Sequence, residues 1–198
     1  MEKESSDLHG NAPDTCPVAI LIIDMINDLE FPEGPQILQP AIEAASCIAE
    51  LKKKAKDLRI PVIYANDNFG HWRSDLSVLV QHCLQTNVRG QPLVKLLQPE
   101  PTDYVVLKPK NSAFFETTLA LLLTYLGAKR LILTGLSTDV CVQFTAQDAY
   151  LRDLDISVPS NCVASACMEQ TQSSLAYMQR VLRADTTPTT ELDLQRFL

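Results

Sequence analysis

The sequence predicts one α/β domain in three layers: a mostly parallel sheet of about six strands with helices on both faces. Short apolar runs alternate with longer amphipathic stretches along the 198 residues. The apolar runs are continuous, as in VAILIID (18–24), which marks strands buried on both faces rather than one. The hydrophobic content of 46% is enough for a full core. Residues 1–16 are polar and acidic and read as a tail, leaving 17–198 as the domain.

The elements follow in order. VAILIID is the first strand and ends on Asp24. Over 36–58, Ile37, Leu38, Ala41, Ile42, Ala45, Ile48, Ala49, Leu51 and Ala55 recur at the spacing of one helix face. PVIYAN (61–66) is the second strand. Residues 67–102 are less regular, with a loop at DNFGHWRSD and a short helix at LSVLVQHCL. YVVLK (104–108) is the third strand, and FFETTLALLLTYLG is a helix stopped by Gly127, a common C-terminal cap residue. KRLILTG is the fourth strand, 138–153 a helix, DISVPSNCVAS a fifth strand with its exit loop, and MEQTQSSLAYMQRVLRA the last helix. A short sixth strand is expected near 185–190.

Composition excludes several functions. The formal net charge is −7, and KKKAK (52–56) is the only basic run, so nucleic-acid binding is not expected. No stretch approaches the ~18 apolar residues of a membrane span. The N-terminus lacks the apolar segment of a signal peptide, so the expected location is cytoplasmic and the six cysteines are expected as thiols. They lack C-x-x-C spacing, which argues against a zinc site. There is no G-x-x-x-x-G-K-[ST] and no G-x-G-x-x-G, so no nucleotide cofactor is expected; the partner is a small-molecule substrate.

In an open parallel sheet, ligands bind outside the carboxyl ends of the strands. Three reactive groups fall there: Asp24 at the end of strand one, Lys108 at the end of strand three, and Cys141 just after strand four, past Gly135-Leu136-Ser137. With Ser137 or Thr138 as N-cap, Cys141 lies in the first turn of a helix, whose N–H groups can face an oxyanion. The helix N-terminus and the lysine each favour a thiolate, and Asp24 can shuttle its proton. Taken singly, each residue also suits a structural role: Cys141 in the core, Asp24 as a turn cap, Lys108 as a surface charge. Of the three histidines, His71 in the DNFGHWRSD loop is the alternative thiol partner; Cys162 and Cys167 read as structural.

The segments IIDMIND, LKPKNSAFFETTL and LTGLSTDVCVQFTAQDAY resemble the isochorismatase-like cysteine hydrolases, a superfamily that includes nicotinamidases and related amidases. The resemblance runs from about residue 17 to about 185, and the third segment is the most specific. It implies a Rossmann-like sheet and an Asp24–Lys108–Cys141 triad, with Lys108 preferred over Lys110 because it stands four residues before Ser112. It also implies a cis peptide at Leu136–Ser137 and an oxyanion hole built from the Ser137 and Cys141 N–H groups. Family members are commonly oligomeric, so a homo-oligomer is expected. Phe69 stands where nicotinamidases carry a metal-binding histidine, so no metal is expected, and Ile26 replaces a common glutamine.

The expected activity is hydrolysis of a C–N bond in a small amide, ureide or carbamoyl compound through a thioester. Phe69 and Trp72 are candidate pocket contacts. Vinyl-ether hydrolysis of the isochorismatase type, and a non-catalytic binding role on the same fold, are the alternatives.

Overall fold

The computed structural model describes residues 14–67, 69, 75–85 and 87–198. Strand β1 (Val18–Ile23) is buried along its whole length at the centre of the sheet. It pairs in parallel with β2 (Val62–Asp67) on one side and β4 (Arg130–Leu136) on the other. β3 (Tyr104–Lys108) lies outside β2, and β5 (Asp155–Ser157) outside β4, giving the order β3-β2-β1-β4-β5. β6 (Val163–Ala164) pairs with the end of β4 at Gly135 and Leu136.

Every strand pair is parallel. The sixth strand is therefore Val163–Ala164 and not 185–190. Near 185 only an isolated bridge forms, between Ser157 and Asp185. Pro188 in that stretch has no N–H to donate to a ladder.

Side chains alternate across a strand, so β1 feeds two cores. Val18, Ile20 and Ile22 face α1 (Gly34–Asp57), α2 (Leu76–Leu84) and α3 (Gln91–Leu96). Ala19, Leu21 and Ile23 face α4 (Leu119–Leu126), α5 (Gln143–Tyr150) and α6 (Met168–Leu182). The short α3, with a proline in its first turn, has no counterpart in the sequence reading. α4 begins at Leu119 instead of Phe114. The Thr117 hydroxyl donates to Ala113 O and accepts from Leu119 N, and Glu116 takes a left-handed φ of 51°, so the chain turns there before it coils. The 138–153 helix is likewise divided into a π-helical turn, Thr138–Val142, followed by α5.

Two features tighten this frame. Gly135 has φ 110°, and a Cβ there would lie 2.0 Å from Ile23 O, so only glycine lets β4 approach β1 this closely. At the far end of the sheet, the buried Lys52 of α1 donates to Tyr64 Oη, Gln98 O and Asp103 Oδ2, tying the helix to the loop that enters β3.

Candidate active site

Strand order reverses at the β1/β4 boundary, and the crevice of a parallel sheet opens at such a point. Asp24 follows β1 directly, with φ 53°, a left-handed conformation that aspartate tolerates better than most residues. Its carboxylate is buried and accepts from Asp67 N at 2.7 Å through Oδ1. Through Oδ2 it meets Lys108 Nζ at 2.8 Å.

Lys108 is the last residue of β3, two strands away from β1, and its side chain is 0% exposed. The stem therefore spans the end of β2 to deliver the ammonium. Besides Asp24, that ammonium donates to Cys141 Sγ at 3.4 Å and to Lys110 O at 3.3 Å, and it lies 3.7 Å from Asp67 Oδ2. The Lys110 side chain itself is exposed.

Cys141 is partly buried in the π-helical turn after β4. The Leu136–Ser137 peptide is cis. Val140 N and Val142 N both donate to Ser137 O at 3.1 Å, which closes the loop around the cysteine.

Burial pushes the Cys141 thiol up to about 12, and the Asp24 charge adds to this while Lys108 opposes it. Desolvation thus works against the thiolate that the helix start and the lysine favour. Desolvation likewise raises the Asp24 carboxyl above the ordinary carboxylate range, against the pull of Lys108. Burial would lower the Lys108 ammonium, but Asp24, Cys141 and Asp67 outweigh it and hold it above its usual value. A thiol and a carboxyl that each disfavour charge, beside a firmly cationic lysine, form a proton-transfer pair with its counter-ion in place.

Phe69 has a left-handed φ of 49°, is 43% exposed, and donates its N–H to Asp67 Oδ1 at 2.6 Å. Trp72 and His71 lie outside the described residues. His82 faces Asp28 at 2.9 Å from α2. Cys162 is buried, with its thiol pushed up to about 12 by desolvation, whereas Cys167 is exposed at the start of α6. Ile26 is fully buried, and both its backbone N–H and C=O bond the Asn66 side chain.

Sequence reasoning missed Asn66 and Asp67. The signal was available: Asp67 ends β2 as Asp24 follows β1, a polar group at a carboxyl strand end. Among the described residues, no group of three His, Cys, Asp or Glu side chains is arranged to hold a metal ion.

Residues 18–191 match the isochorismatase domain family. The chain belongs to the isochorismatase family. It is 40% identical over 169 residues to the uncharacterized isochorismatase family protein YaaI of Bacillus subtilis, covering 85% of this chain and 92% of that one. A shorter match, 44% over 73 residues, is to the ureidoacrylate amidohydrolase RutB of Methylorubrum extorquens; it covers 37% of this chain and 29% of the relative. The pyrazinamidase/nicotinamidase of Streptococcus mutans has a similar structure, with TM-score 0.67 and 28% identity, covering 85% of this chain and 99% of that one. The protein is thus an isochorismatase-family hydrolase on a single α/β domain.

Proposed function

We propose that this hydrolase cleaves the C–N bond of a small amide, ureide or carbamoyl compound, with Cys141 as nucleophile, Asp24 as proton shuttle and Lys108 as fixed counter-charge. The observation that carries the reading is one buried ammonium held 2.8 Å from Asp24 and 3.4 Å from Cys141 Sγ. That placement lets the thiol proton pass to Asp24 without leaving net charge in a desolvated site.

As Sγ bonds the substrate carbonyl carbon, the thiol proton moves to Asp24 and the carbonyl electron pair moves onto oxygen. The Ser137 and Cys141 N–H groups receive that oxyanion. Collapse breaks the C–N bond, and the nitrogen leaves with the proton from Asp24. Water then attacks the thioester with Asp24 again as base, releasing the acid and restoring the thiol. Because burial raises the Cys141 thiol, the proposed route has Asp24 take its proton as the sulfur attacks. The names of the amidohydrolase and nicotinamidase relatives support an amide-type substrate.

The test is an ammonia-release screen over nicotinamide, ureidoacrylate and N-carbamoyl amino acids, with intact-mass trapping of an acyl adduct on Cys141. Turnover that survives in Cys141→Ala overturns the thioester route and points to vinyl-ether hydrolysis.

A further inference from the structure

We infer that Asp139 and Ser165 brace the Ser137–Cys141 loop, so that its N–H groups are preset for an oxyanion. This role rests on acyl transfer at Cys141. Ser137 stands at the N-cap of the π-helical turn, yet its side chain makes no cap hydrogen bond. Its hydroxyl donates to Asp139 Oδ1 instead. Asp139 Oδ1 also accepts from Ser165 Oγ at 2.6 Å, and Ser165 Oγ sits 3.4 Å from both Ser137 Oγ and Asp139 N.

Ser165 is 1% exposed and is anchored from behind, its N–H donating to Thr171 Oγ1 of α6 at 3.0 Å. It follows directly on β6, whose pairing with Gly135 and Leu136 fixes the same loop from the strand side. A line of hydrogen bonds therefore runs from α6 through Ser165 and Asp139 to Ser137. The Asp139 carboxyl, although burial opposes its charge, is held below the usual range by the two hydroxyls, which both donate to it in charge-assisted bonds. A carboxylate that merely favoured the helix N-terminus would need no buried serine aimed at it. Asp139 and Ser165 touch no reacting atom; they are positioning residues.

Two reagents separate positioning from general damage. p-Nitrophenyl acetate acylates the thiol: the S–C bond forms, the thiol proton goes to Asp24, and p-nitrophenolate leaves after an oxyanion has formed. Methyl methanethiosulfonate modifies the same thiol by forming an S–S bond and releasing methanesulfinate, with no carbonyl and no oxyanion. Ser165→Ala and Asp139→Ala should slow the p-nitrophenolate burst ~10-fold or more, while the thiolation rate and its pH profile stay as in the wild type. Asp139→Asn keeps an Oδ1 acceptor and should recover most of the burst.

Equal losses on both reagents, no loss on either, or an asparagine variant as slow as the alanine one overturns the brace. A wild-type protein that thiolates but never acylates at Cys141 overturns the acyl-transfer reading itself, and the brace with it.

Discussion

Replacing Lys108 with methionine keeps the length of the stem and removes the charge. At 2.8 Å from Asp24 and an effective dielectric of ~20, the lost attraction is about 6 kcal/mol. Not all of it appears as stability, because the pair was desolvated in forming; removing one partner of a buried pair generally costs about 3–5 kcal/mol. Without the lysine, the already raised Asp24 carboxyl rises further and takes up a proton more readily as the pH falls. The stability deficit should therefore be largest at pH 8, where Asp24 must stay charged, and should shrink toward pH 5 as it protonates. The same protonation removes the base, so turnover should fall ~10²–10⁴-fold.

Urea denaturation at the two pH values, with Asp24→Asn and the double variant completing a cycle, reads the coupling. The double variant should recover most of the lost stability, since it leaves no unpaired buried charge. A Lys108→Met protein that unfolds at the wild-type urea concentration at pH 8, or one that Asp24→Asn fails to rescue, refutes the argument.

Asp24→Asn by itself should have opposite effects on two readouts. The Asp24 charge raises the Cys141 thiol, so its removal should speed iodoacetamide labelling of Cys141 at pH 9 while hydrolysis collapses; labelling that slows instead contradicts the assignment. Asp103→Ala removes the buried carboxylate that pairs with Lys52 and should cost about 3–5 kcal/mol in denaturant without moving the pH profile of Cys141 labelling. Tyr64→Phe removes a hydroxyl that accepts from Lys52 and donates to Leu97 O and should cost about 1–3 kcal/mol, read in the same assay. Gly135→Ala places a Cβ 2.0 Å from Ile23 O and should abolish soluble folded protein, as judged by circular dichroism of the purified chain.

The three layers and most strands were legible because short apolar runs alternate with longer amphipathic stretches, and the charged residues that end the runs mark the carboxyl edge. Strand order was not legible. That Lys108 reaches Asp24 across the intervening β2 depends on pairing between segments far apart in the chain, which no local spacing encodes. Helix ends moved where side chains competed with the backbone: Thr117 and its partners hold the 113–119 turn in a stretch whose apolar periodicity runs on regardless. The desolvation that raises the Cys141 thiol was not legible, because a helix start and a lysine can be read from sequence whereas burial depends on the assembled core. Ser165 gave no signal, since a serine after a two-residue strand resembles any loop serine.

The intervening β2 also bears on how the chain matures. Asp24, Lys108 and Cys141 arrive on three separate crossover units, and the ammonium has its partners only after β3 has docked on β2 and β2 on β1. A nascent or refolding chain that has paired only β1 with β4 already holds Asp24 beside the cysteine, but without the cation that offsets the carboxylate. On the proposed mechanism, such a chain turns over no substrate. If Lys108 acts as proposed, catalytic competence should lag behind the recovery of secondary structure on refolding and coincide with closure of the β3 edge.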